Sequence, residues 1–198
     1  SKLMREDTRN CTSCHTGQQK PMFDGLNMRG VGVNNPALQW DVIARMKEVT
    51  NMNVIIKGIE HPQDAALAVA NGADAVWVSN HGGRAVETGR GTIECLPDVV
   101  NAVNRRVPII VDGGFRRGTD IYKALALGAD AVGIGRPYCW GLGAFGQAGV
   151  ERVLDLLNRE LLIAMRGSGT PTLDSIGPDY VHDVGHRVPR GLLGREML

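Results

Sequence analysis

No apolar run in this chain approaches the ~18 residues that a membrane-spanning helix requires. The opening residues, Ser1-Lys2-Leu3-Met4-Arg5-Glu6-Asp7, lack the apolar core of a signal peptide. Neither sign of charge is in excess: 22 Lys and Arg against 21 Asp and Glu leave a formal net charge of +1. That balance removes the electrostatic case for nucleic acid as the main partner. Cysteine is scarce, with four in 198 residues, which excludes a disulfide scaffold. The expectation from these absences is a cytoplasmic protein without a membrane span. Glycine, by contrast, is abundant at 26 residues, which suits a chain with many tight βα turns. The length fits one domain with a sizeable core.

Residues 1–35 show no sustained period and read as a long irregular segment. Within it, Cys11-Thr12-Ser13-Cys14-His15 matches the pattern of covalent haem attachment. Zinc would need a further ligand, and Cys95 and Cys139 stand alone in separate predicted elements. Haem, another metal and incidental loop cysteines therefore all stay open for Cys11, Cys14 and His15.

From Pro36 the pattern becomes regular. Pro36 opens a helix in which Leu38, Ile43, Met46 and Val49 repeat at helical spacing. Short apolar strands then alternate with helices: a strand Val54 to Lys57, a helix Pro62 to Asn71, a strand Ala75 to Val78, a helix Thr92 to Asn104. A strand Val107 to Val111, a helix Gly118 to Leu127, a strand Ala131 to Ile134 and a helix from about Gly149 to Met165 complete the series. There is an internal repeat: Asp64, Leu67, Ala68 and Gly72-Ala73-Asp74-Ala75-Val76 return as Asp120, Ala124, Leu125 and Gly128-Ala129-Asp130-Ala131-Val132. This alternation predicts a parallel sheet covered by helices, as a β/α barrel or a doubly wound sheet. Only four strands are evident where a closed barrel needs eight. The expected layout is an irregular segment 1–35, a β/α unit 36–170 and an extended polar arm 171–198.

Each strand runs into polar residues that parallel pairing would gather on one face. Lys57-Gly58 ends the first. Ser79-Asn80-His81-Gly82-Gly83-Arg84 ends the second, with a histidine able to exchange a proton near neutral pH and an arginine whose planar fork suits a carboxylate. Asp112-Gly113-Gly114-Phe115-Arg116-Arg117-Gly118 ends the third, offering backbone N–H groups and a guanidinium at a helix start, a phosphate-binding chemistry. Gly135-Arg136-Pro137 ends the fourth with a second guanidinium.

These strings, together with Lys123-Ala124-Leu125-Ala126-Leu127-Gly128-Ala129, resemble the FMN-dependent α-hydroxy-acid oxidases and dehydrogenases from about Pro36 to Ile176. The family includes glycolate oxidase, lactate oxidase and mandelate dehydrogenase. The resemblance implies a TIM (β/α)8 barrel of which this chain supplies the C-terminal half, strands 5–8. It implies FMN as cofactor and oxidation of a 2-hydroxy acid to a 2-oxo acid. His81 would be the base and Arg84 the carboxylate clamp, aided by Arg5. Lys57 would face the flavin N1/O2 edge, and Ser79 the ring. Asp112, Gly113, Gly114, Phe115, Arg116, Gly135 and Arg136 would hold the ribityl chain and phosphate.

Against the family pattern, the first barrel half is absent, Ala85-Val86-Glu87 replaces the usual Gln-Leu-Asp, and Arg90 stands where proline is common. The expected partners are a small 2-hydroxy acid, a segment or second chain carrying the first half-barrel, and further copies of the chain. The alternatives are a phosphate-binding barrel of another class, such as an FMN-dependent isomerase or inosine-monophosphate dehydrogenase, and a non-catalytic or haem-carrying half-barrel. His81 with Arg84 argues against the isomerase class.

Overall fold

The computed structural model describes residues 39–83 and 89–182. Its elements are α1 (Val42–Val49), β1 (Ile55–Ile59), α2 (Pro62–Ala70), β2 (Ala75–Val78), α3 (Thr92–Val103), β3 (Ile109–Asp112), α4 (Gly118–Ala126), β4 (Ala131–Gly133) and α5 (Arg136–Ser168). All three strand pairs are parallel, in the order β1-β2-β3-β4. That order never reverses, so right-handed crossovers put every connecting helix on the same face. A doubly wound sheet would reverse at a switch point and cover both faces. The observed sheet is therefore a barrel segment.

Side-chain alternation divides the two faces. Val76, Val78, Ile109 and Val111 are buried against Ile43, Ala65, Ala68, Leu96, Val99 and Val103 from the helices. The opposite face carries Lys57, Trp77, Ile110 and Ala131 in one register row. Asp112 and Gly133 form the row above. β1 and β4 are the open edges among the described residues.

The internal repeat is structural. In both copies the glycine ends a helix in a left-handed conformation, Gly72 at φ 91° and Gly128 at φ 100°. The following alanine N–H returns to the helix, Ala73 to the Ala68 carbonyl and Ala129 to the Ala124 carbonyl. The aspartate then grips the start of the neighbouring strand. Asp74 Oδ2 accepts the Val54 N–H at 2.7 Å while its own N–H donates to the Val54 carbonyl at 2.8 Å. Asp130 does the same to Ile109 at the same two distances. Each Gly-Ala-Asp thus locks the register of one strand to the next.

Several boundaries differ from the sequence expectation; β3, for example, runs Ile109–Asp112 where the sequence pattern predicts Val107 to Val111. β1 continues past Lys57 to Ile59 through a register shift at Gly58, whose φ of 99° only glycine adopts readily. α5 begins at Arg136, well before Gly149, and breaks at Phe145 and Gly146. The glycines of this stretch hide its helical period. Two of them are needed for packing, because a Cβ on Gly149 would lie 1.9 Å from the Gly141 carbonyl oxygen. α1 is described from Val42; residues 36–38 lie outside the described residues. The expected arm is described as far as His182, where it makes two 3-10 turns and sets Tyr180 edge-on to Tyr122 of α4 at 6.5 Å.

The Asp74 lock carries a pH signature. The hydrogen bond from Lys47 at 2.6 Å, joined by the Val54 N–H, holds the Asp74 carboxyl below its ordinary value of 3.8. A depressed folded-state value stabilises the fold above 3.8, and that contribution disappears as pH falls through the lowered value. Asp74→Asn should therefore lower the urea midpoint at neutral pH and flatten its decline on acidification. An unchanged acid limb in the variant would show that the carboxylate lock does not act.

Candidate functional site

The strand register brings the expected side chains together. Lys57 Nζ donates to Ser79 Oγ at 2.8 Å and pairs with Asp112 Oδ2 at 3.2 Å. One ammonium thus bridges the C-terminal ends of β1, β2 and β3. It also lies 5.5 Å from the centre of the Trp77 ring, within cation–π range. Ser79 is fully buried and accepts a second bond, from the His81 N–H at 3.2 Å. These two accepted bonds tie the Lys57 ammonium to the start of the His81 turn.

His81, Gly82 and Gly83 follow in left-handed conformations, with φ of 55°, 73° and 74°. For histidine this is an uncommon conformation, of the kind that clusters at functional sites. The His81 imidazole rests on the Gly58 bulge: a Cβ at Gly58 would lie 2.9 Å from His81 Cε1. Opposite, Arg136 Nη2 donates to the Gly82 carbonyl at 2.8 Å.

The loop after β3 differs from expectation in one respect. Asp120 Oδ2 accepts the N–H groups of Arg116 and Arg117 at 3.0 and 2.9 Å, and Glu160 Oε2 accepts that of Gly118 at 2.8 Å. The start of α4 is therefore already capped by carboxylates. What the loop offers a ligand is the backbone at Gly113 and Gly114, at φ 105° and 81°, and the Arg116 side chain, which stacks on Trp140 at 5.5 Å. Phe115 packs in the hydrophobic core and also lines the pocket. Thr92 donates from Oγ1 to the Asp112 carbonyl and fills the space beside Gly113, fixing that turn against α3.

These groups line one pocket of about 520 Å³, the size of a small-molecule or cofactor site. Its wall includes Lys57, His81, Asp112, Arg116 and Arg136. Trp77, Tyr138 and Cys139 also line it and were not singled out from sequence. Alternation along β2 could have placed Trp77 on the Ser79 side. Proline at the second position of Arg136-Pro137 could have signalled a helix start there. A hydrogen bond with Cys139 pushes the Tyr138 hydroxyl above its usual range. Ser79 is part of the Lys57 cluster although it is not on the pocket wall. Arg84, Arg5, Cys11, Cys14 and His15 lie outside the described residues. No cluster of three or more His, Cys, Asp or Glu able to hold a metal occurs among the described residues, and no described helix is long and apolar enough to cross a membrane.

The contact between Gly58 and His81 is testable without any ligand. Gly58→Ala would place a methyl within 2.9 Å of the imidazole and force φ of 99° on an L-residue. The expected result is a loss of about 1–3 kcal/mol in urea unfolding, with a displaced His81 ring signal by NMR. An unmoved His81 signal would separate the bulge from the histidine.

The sequence matches the family described as FMN-dependent dehydrogenase over residues 4–183. It is 47% identical over 159 residues to a 2-hydroxyacid oxidase of Dictyostelium discoideum, covering 80% of this chain and 41% of that protein. It is 46% identical over 144 residues to an L-lactate oxidase of Lysinibacillus sphaericus, covering 73% of this chain and 37% of the other. The crystal structure of a lactate oxidase of Pediococcus acidilactici superposes with a TM-score of 0.71 at 42% identity, covering 76% of this chain and 42% of that one. An (S)-mandelate dehydrogenase superposes with a TM-score of 0.68 at 39% identity, over 72% and 40% of the two chains. The chain thus spans about two fifths of the length of the relatives it matches. With four parallel strands forming part of a β/α barrel, the chain belongs to the FMN-dependent dehydrogenase family.

Proposed function

We propose that this chain forms the phosphate, flavin-edge and base side of a site that oxidises a 2-hydroxy acid to a 2-oxo acid, completed by a segment or second chain carrying the remaining barrel strands. The observation that carries the reading is the convergence of Lys57, His81, Asp112, Arg116 and Arg136 on one pocket at the strand C-termini. The names of the relatives, 2-hydroxyacid and lactate oxidases, support the substrate class.

The pocket fits FMN on its own chemistry. Side chains are absent where a flat ring and a phosphate would approach backbone, at Gly114 and Gly135, beside which the space is open. Gly133 lies against the Trp77 ring, where a Cβ would sit 2.8 Å from Cζ2. Lys57 supplies a positive charge suited to the N1/O2 edge, which becomes negative on reduction. Arg116 and Arg136 suit the phosphate, and Asp112 the ribityl hydroxyls. When bound, FMN would supply an acceptor for the electron pair released from the substrate α-carbon.

The protein's own part is proton transfer and aim. His81 removes the substrate proton and stores it on the imidazole. Arg84, with Arg5, holds the carboxylate and sets the angle of the α-carbon, a role in which planar bidentate geometry matters. The remaining strands exclude water from this side and add the groups that surround the substrate.

In the completed barrel, His81→Gln should keep flavin bound but slow flavin bleaching by 2-hydroxy acids by about a thousandfold or more, toward the upper end for a positioned base. Stopped-flow absorbance across a panel of 2-hydroxy acids reads this directly. Near-normal bleaching would take His81 out of the reaction, and absence of bleaching by every acid in the unmutated barrel would defeat the substrate class.

A further inference from the structure

We propose that Arg136 is a positioning residue for His81: it holds the His81–Gly83 turn in its left-handed conformation and so couples the pocket's anion end to the base. The coupling to a phosphate rests on the flavin reading above; the hold on the turn does not.

Three consecutive left-handed residues are not a self-sustaining backbone for an L-residue such as His81. Two local contacts support the turn. Ser79 Oγ accepts the His81 N–H, and Asn80 accepts the Gly83 N–H through its carbonyl at 3.0 Å and its Oδ1 at 3.1 Å. Both leave the middle peptide to be fixed by something else. Arg136 reaches across from the end of β4, 54 residues away in sequence, to bind the Gly82 carbonyl at 2.8 Å. The approach is close: a Cβ at Gly82 would lie 3.3 Å from Arg136 Nη2. A carbonyl aimed at a guanidinium fixes the Gly82 peptide plane, and with it the path that His81 takes out of β2.

Arginine carries five N–H donors in a rigid fork. One bond to Gly82 leaves donors for an anion in the pocket that Arg136 lines. An anion bound there restrains the fork and, through it, the turn. A lysine offers a point charge without this bridging geometry.

The test begins with the full chain and no flavin. Amide hydrogen exchange is followed at His81 and Gly83 in the unmutated chain, in Arg136→Ala, in Arg136→Lys, and in Arg152→Ala as a control from an exposed pair on α5. Loss of one charged hydrogen bond should speed exchange at both amides about tenfold in Arg136→Ala and nearly as much in Arg136→Lys. The control should leave it unchanged, and the Val76 and Val111 amides of the core should stay protected. Inorganic phosphate should slow exchange at both turn amides in the unmutated chain but not in Arg136→Ala. Unchanged turn exchange in Arg136→Ala overturns the proposal. If Arg136→Ala exposes the core amides, Arg136→Lys decides in the same way.

A second arm uses the completed barrel at full flavin occupancy. There Arg136→Ala should slow flavin reduction about tenfold with little change in substrate KM. Wild-type reduction at full occupancy would mean that Arg136 only anchors the phosphate, and the coupling fails. A completed barrel that takes up no flavin defeats the flavin reading alone, while the exchange result still decides the hold on the turn.

Discussion

One ammonium ties three strands. Lys57 Nζ touches Ser79 Oγ and Asp112 Oδ2 at the same end of a parallel sheet, and Trp77 lies beneath it. The arrangement depends on register. Lys57 pairs with Trp77 and Ile110 with Ala131, and the two aspartate locks at Asp74 and Asp130 hold those two pairings. A one-residue slip of β1 would send Lys57 into the helix-covered core, where an unpaired charge is costly. The structural repeat and the functional pocket are therefore linked: the first sets the register on which the second is built.

The His81 turn is held from three sides. Gly58 gives the imidazole room, Ser79 accepts its backbone N–H, and Arg136 binds the next carbonyl. Each contact comes from a different strand end. In the proposed role of base, a histidine held in this way would be set before substrate arrives, as proton transfer at a fixed angle requires. The pocket's cations are also pre-set on internal partners, Lys57 on Asp112, Arg116 on Trp140 and Arg136 on Gly82.

Much of this was legible in the sequence, for physical reasons. Short β-branched runs between helical periods placed all four strands, and Ala75–Val78 matched at both ends. The strand-end strings named Lys57, His81, Asp112, Arg116 and Arg136, which the fold gathers into one pocket. Sequence was weaker where glycine serves packing. The first part of α5 was missed because Gly141, Gly143 and Gly146 dilute its apolar stripe, although Gly141 packs on Gly149. The Glu160 share of the α4 cap is not legible in sequence, because Glu160 lies 42 residues from Gly118, whereas the Asp120 share is local.

The open edges at β1 and β4 among the described residues and the length of the relatives both support the proposal that the pocket is one side of a larger barrel site. The most direct measurement of that claim is FMN binding by fluorescence quenching, comparing the 198-residue chain alone with the same chain joined to the missing strands of a relative. The account predicts stoichiometric, tight binding in the completed barrel, weakened by about 1.5–3 kcal/mol on changing Arg116 or Arg136 to alanine. A folded, completed barrel that binds no FMN, or binds it equally well without either arginine, would contradict it.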